Sequence, residues 1–147
     1  MENYTDLKVR QAKELDDFEG IFFAFNTEQF KEGMERIGLT AEEKNKIYPL
    51  GSGGYILKNK IAIFNTMLKR HDTEKKNRKK EENFLFESLV HELKNHEFCI
   101  TLDTSDALNA LGYDKESIDA KILKKAIAEV MLGSCMRTAY NDKKGVV

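Results

Sequence analysis

Apolar positions recur at steps of three and four in some stretches of the chain and gather into short runs in others. Leu7, Val9, Leu15 and Phe18 mark a first helix over residues 4–18, with Leu7, Leu15 and Phe18 at roughly helical spacing and Gly20 as its stop. The run IFFAF (Ile21–Phe25) is short, rich in β-formers and flanked by polar residues, which predicts a strand. Asn26 to Gln29 fits a capping box: Asn accepts from the first free amides and Gln reaches back. Phe30, Met34 and Ile37 then form the inward stripe of a helix ended by Gly38. Thr40 to Glu43 is a second such box, opening a short helix to about Ile47 before Pro49 breaks the chain. GSGG (Gly51–Gly54) predicts a turn and YIL (Tyr55–Leu57) a second strand.

Ile61, Phe64 and Leu68 resume the helical step, and Phe84, Leu85, Leu89 and Leu93 resume it again, with no apolar residue from Lys69 to Asn83. Two helices sharing a protruding charged segment account for this better than one helix of about 35 residues, which would reach ~50 Å at ~1.5 Å per residue. FCITL (Phe98–Leu102) alternates and predicts a third strand. A short helix follows from Asp103 or Thr104 to Leu111, closed by Gly112. A last helix from about Asp119 to Leu132 carries Ile122, Leu123, Ala126, Ile127, Val130 and Met131 inward. The expected fold class is α+β: a single helix-rich domain over residues 1–136, with a small antiparallel sheet of about three strands and five to six helices. Residues 137–147 are expected to form a flexible C-terminal tail.

Composition narrows the function classes. At 147 residues the chain has the commonest size of one domain and can bury a core without metal or disulfides. Charged residues are 33% of the chain, above the ~25% of ordinary globular proteins, which implies a well-solvated surface. No apolar stretch of about 18 residues is present, and the N-terminus has no apolar run behind a basic start. A cytoplasmic protein is therefore expected, and in that reducing setting Cys99 and Cys135 read as free, mostly buried thiols. Formal net charge is −1, so no global field draws in nucleic acid or acidic membranes.

Three constellations invite chemistry. HELKNH (His91–His96) spaces its histidines at i and i+5, about 140° apart on a helix, whereas a zinc protease needs i and i+4. His91 reads instead as a helix-surface residue, and His96 with Glu97 as the helix end. The GSGGYILK stretch lacks both the Gly-Lys-Ser/Thr ending of a Walker loop and the three spaced glycines of a dinucleotide loop. It reads as a hairpin-like turn, or as a modest anion-binding turn using Gly53, Gly54 and Lys58. The segment KRHDTEKKNRKK gathers Lys69, Arg70, Lys75, Lys76, Arg78, Lys79 and Lys80 against only Asp72 and Glu74. It is either a solvated face or a contact for RNA or an acidic protein surface; no aromatic residue is interleaved for base stacking. No nucleophile elbow, metal motif or cofactor loop is evident, so no catalytic residue, metal or cofactor is expected.

The strings FFAFNTEQF (Phe22–Phe30), GGYILK (Gly53–Lys58), LKRHD (Leu68–Asp72), LVHELKNHEF (Leu89–Phe98) and DTSDALNALG (Asp103–Gly112) stand in an order that resembles a family of small proteins carried by phages and mobile elements of Bacteroidetes and Firmicutes. The resemblance covers about residues 20–130 and brings no reaction, cofactor or catalytic residue with it. It implies a mobile-element setting, in which small proteins without catalytic motifs act by binding host machinery, as anti-CRISPR proteins do. The expected function is a non-enzymatic, stoichiometric inhibitor of a host defence nucleoprotein, an RNA-guided nuclease or its guide RNA, acting in the host cytoplasm. The expected partner is a host protein or ribonucleoprotein such as a CRISPR effector, with RNA contact through Lys69–Lys80 and no membrane. A nucleic-acid-binding accessory of a mobile element is the alternative, and a small enzyme the second.

Overall fold

The computed structural model describes residues 2–135. These residues group into two compact units, 2–9 with 75–135, and Arg10–Glu74, and the division falls inside the first and third helices. The expected tail at 137–147 lies outside the described residues. The fold is α+β and helix-rich, with one three-stranded antiparallel sheet and, among the described residues, seven α-helices.

The Arg10–Glu74 unit contains the whole sheet, in the order β1 (Ile21–Phe23), β3 (Gly54–Leu57), β2 (Ile47–Gly51). Ile21 pairs with Ile56 and Phe22 with Tyr55; on the other side Tyr48 pairs with Ile56 and Pro49 with Tyr55. Pro49 has no N–H to offer a ladder, and its place on an edge strand, beside a register shift, is where a sheet tolerates it. The turn between β2 and β3 runs through Gly51, Ser52 and Gly53, all at positive φ (84°, 50° and 80°), a path that glycine follows without steric cost.

Helix α2 (Thr27–Arg36) covers one face of this sheet. Asn26 Oδ1 accepts from the Gln29 amide at 2.8 Å, and Gln29 Oε1 accepts from the Phe25 amide at 2.8 Å, so the expected capping box reaches one residue further back. Met34, Phe30 and Ile37 pack on Phe22, Ala24 and Ile47. Gly33 lets the helix come close: a Cβ there would stand 2.2 Å from the Phe22 ring. In this unit the later part of α1 (Tyr4–Asp16) and the earlier part of α3 (Ile61–Arg78) are tied by polar groups. Gln11 Nε2 donates to the His71 carbonyl at 3.1 Å, and Arg10 Nη2 to Glu74 Oε2 at 2.7 Å.

The other unit is helical. Leu85, Leu89 and Leu93 recur every four residues along α4 (Glu82–Asn95), and Ile122, Ala126 and Val130 along α7 (Ala120–Val130). These two stripes meet Tyr4, Leu7, Phe98, Leu108 and Leu111 in one core. Asp119 caps α7 by accepting from the Lys121 and Ile122 amides. Helix α6 (Ser105–Ala110) ends before Gly112, at φ 78°, as its sequence predicts.

Three expectations are corrected. FCITL is not a strand but a four-residue helix, α5 (Phe98–Thr101), flanked by Glu97 and Leu102 in left-handed conformations. Its alternation misled because Phe98 is 5% exposed while Ile100 is 78% and Leu102 67%: burial of Phe98 in the helical core decides the segment, and strand propensity yields to packing. The third strand comes instead from Ile47–Gly51, where a helix end and a break were expected. Glu43 Oε1 accepts from the Thr40 amide at 3.0 Å, which is half of the expected capping box. The Thr40 hydroxyl donates to the same carboxylate instead of accepting from the Glu43 amide, and only a 3-10 turn (Lys44–Lys46) follows, since Ile47 is drawn into the sheet.

The third correction concerns the cysteines. Cys99 and Cys135 form a disulfide, with Cα atoms 5.1 Å apart, joining α5 to a π-type turn over Met131–Cys135. Nothing in a separation of 36 residues announces that pairing; the way α5 and the end of α7 fold onto one core creates it.

Candidate functional site

The expected protruding basic segment forms the second half of α3, which stops at Arg78, and Lys79 and Lys80 lie in the turn before α4 begins at Glu82. The chain there makes two helices, as expected, but the segment does contribute to the interior. His71 is buried, and its Nε2 lies 3.1 Å from Glu14 Oε2. Arg70 bonds Glu14 and also Glu74, at 3.1 Å to the latter. Hydrogen bonds from Arg70, then from His71, hold the Glu14 carboxyl down at about 2. In the helical unit Arg78 bonds the Glu2 carbonyl, lies over the Phe84 ring at 4.5 Å and reaches Glu81 at 3.4 Å. Lys79 donates to the Leu111 carbonyl and sits over Tyr113. Lys69, Lys76 and Lys80 are exposed and Lys75 is half-buried. Of the seven cations singled out in sequence, Arg70, Arg78 and Lys79 therefore have structural work of their own.

The candidate anion turn does not converge. Gly53 gives its carbonyl to the Ala24 amide at 2.9 Å, and Gly54 is a ladder residue. Lys58 follows β3 at its far end, about 13 Å along the strand at ~3.3 Å per residue. The two glycines have another role. A Cβ on Gly53 would stand 2.6 Å from the Phe25 ring, and one on Gly54 3.0 Å from the Phe23 ring. Each glycine is a seat for an aromatic ring.

Those rings belong to a surface that the sequence reading missed. Strand alternation sends Phe22, Tyr55, Ile47 and Pro49 toward α2, and Phe23, Tyr48 and Leu50 to the opposite face. There Phe23 is 61% exposed, Tyr48 53% and Leu50 42%; Phe23 and Leu50 meet over Gly54. The signal was present in IFFAF: phenylalanines at both parities of one short strand send apolar surface to both faces, and on the second face the cover reaches Ile56, the fully buried partner of Tyr48, but not Phe23. Past the strand end, Phe25 lines a separate cavity of about 520 Å3, together with Phe30, Tyr55, Lys44 and Asn26.

Among the described residues of the helical unit one carboxylate is buried. Glu92 accepts from the Tyr4 hydroxyl at 2.5 Å and from Lys8 Nζ at 3.0 Å, and its other oxygen meets His96 Nε2 at 3.2 Å. Burial pushes Glu92 up, but the Tyr4 and Lys8 bonds outweigh it and hold the carboxyl below its ordinary range. Burial, then the bond to Glu92, raises the Tyr4 hydroxyl. The two histidines of HELKNH thus straddle Glu92: His96 caps α4 and bonds it, while His91 packs edge-on to Tyr4 at 5.4 Å. The arrangement pins α1 to α4. Among the described residues no group of three or more His, Cys, Asp or Glu is placed to hold a metal ion, and no helix is long and apolar enough to cross a membrane.

Fold and surface together define a helix-rich α+β protein whose most unusual outward feature is an apolar sheet face. The chain belongs to the family described as a family of unknown function, DUF7659, whose model matches residues 3–132. That description carries no phage or defence-inhibition link. No curated protein and no solved structure matches the chain.

Proposed function

We propose that this protein works by stoichiometric binding rather than catalysis, and that it meets its partner through the sheet face bearing Phe23, Tyr48 and Leu50. The observation that carries the reading is the exposure of these three large side chains on one face, with Phe23 seated on Gly54. Contiguous exposed apolar surface of this kind marks binding surfaces, and aromatic anchors dominate their energetics. Rigid strands present the rings, so little ordering entropy is lost on contact.

The finer reading is inhibition of a host defence nucleoprotein in the host cytoplasm; it rests on the family resemblance alone. Lys69, Lys75, Lys76 and Lys80 would add steering toward a negatively charged partner. In that compartment the Cys99–Cys135 bridge meets a reducing pool, so a thiol count on protein trapped directly from cells belongs to the test.

The experiment is affinity capture from host lysate with the wild type and with Phe23→Ser/Tyr48→Ser, each with and without nuclease. A partner held by the wild type, kept after nuclease and lost by the folded double variant supports the reading. Equal capture by both proteins removes the sheet face as the contact.

A further inference from the structure

We propose that the cavity between α2 and the β2–β3 hairpin is a binding site for a flat aromatic ring carrying an anionic group, with a nucleoside monophosphate as its chemical type. The cavity lies on the α2 side of the sheet, opposite Phe23 and Tyr48, so the proposal stands apart from the docking face.

Its size, about 520 Å3, falls within the ~300–1,000 Å3 of small-molecule sites. Its walls are aromatic and preformed. Phe30 and Tyr55 meet edge to face at 5.3 Å, and Tyr55 is itself stacked on Phe22 at 5.3 Å, so neither ring can turn away. Phe25 stands at the mouth, 77% exposed, with Gly53 beneath its ring and no core to enter. A planar guest would cover Phe25 and complete the set of rings.

The polar groups at the mouth choose the charge. Lys44 Nζ lies over the Phe30 ring at 5.7 Å, and among the described residues no carboxylate pairs with it. Asn26 spends its Oδ1 on the helix cap, which leaves its amide N–H groups as donors. Thr27 adds a hydroxyl, and none of the lining residues is acidic. Donors and one cation beside three rings fit an aromatic body with an anion at one end. A neutral ring would leave Lys44 unanswered, and a bare phosphate would leave the rings uncovered.

The test is titration of the isotope-labelled full chain, followed by NMR, with four probes: adenosine monophosphate, adenosine, ribose phosphate, and a short single-stranded oligonucleotide with a terminal phosphate. The expected result is saturable shifts at Phe25, Phe30 and Tyr55 with adenosine monophosphate, and affinity lower by about tenfold or more for adenosine and for ribose phosphate. Lys44→Ala should weaken the monophosphate by about tenfold while leaving adenosine unchanged. Phe25→Ala should weaken both; both residues are exposed, and matching melting temperatures verify the fold. If the oligonucleotide binds more tightly than the free nucleotide, the ring and phosphate come from a strand end; if not, from a free nucleotide, and either result supports the site. No saturable shift with any probe, or equal binding of adenosine and its monophosphate with Lys44 immaterial, would overturn the proposal.

Discussion

Gly33 and Glu14 carry consequences that their neighbours do not. On helical preference alone, Gly33→Ala within α2 should stabilise by about 1 kcal/mol. The Phe22 ring occupies the space the new methyl needs, and overpacking of a rigid aromatic costs about 1–3 kcal/mol or more. A net loss of about 2 kcal/mol in urea unfolding is expected; a gain would mean the α2–Phe22 approach is looser than described. Glu14 has its pKa lowered to about 2 by Arg70 and His71, so its contribution is fully present above the ordinary value near 4.5 and is lost as pH falls through about 2. Unfolding free energy of the wild type should therefore drop as pH is taken from about 4.5 toward 2. Glu14→Gln should start lower at neutral pH and show a flatter limb in that window. A limb of unchanged slope in the variant would assign the acid sensitivity elsewhere, with Glu74, also held low by Arg10, the next carboxylate to examine.

At the scale of elements, α5 shows how a short segment is decided from outside. Four residues between two left-handed non-glycine positions make a poor helix by themselves. Phe98 anchors the segment in the core and Cys99 ties it to the turn after α7. Opening that bridge, by Cys99→Ser or by a thiol reductant on the wild type, should cost about 4 kcal/mol of stability for a loop of 36 residues. Urea unfolding with and without reductant reads this directly; coincident curves would show the two thiols unpaired in solution. The break between α3 and α4 was legible as the return of apolar spacing at Phe84, whereas its position was not. No Gly or Pro marks it, and Arg78 secures the chain on both sides through Glu2, Glu81 and the Phe84 ring.

For the molecule as a whole, the surface rather than the core separates structural from functional residues. Phe23 and Tyr48 face solvent, so replacing both with serine removes little buried area. The melting temperature of Phe23→Ser/Tyr48→Ser should stay within about 2–4 °C of wild type, a shift that corresponds to under ~1 kcal/mol at this chain length. A larger drop would place these side chains in the core and withdraw the docking face. The basic segment divides differently. Lys79 is engaged with Leu111 and Tyr113, so a charge reversal that includes it would disturb the helical unit and binding together. Lys75→Glu/Lys80→Glu is the cleaner probe of steering.

Periodicity by itself determined most of the helices, the α+β class, strands at Ile21 and Tyr55, the Asn26 cap and the glycine stops, because each rests on contacts within a few residues. Only the tertiary structure decided that Ile47–Gly51 becomes a strand and Phe98–Thr101 a helix, that Cys99 finds Cys135, that Glu92 is buried among Tyr4, Lys8 and His96, and that Phe23 and Tyr48 are left outside. Each of those outcomes depends on a neighbour far along the chain, and the energy of packing against it exceeds the small local preferences that a sequence displays.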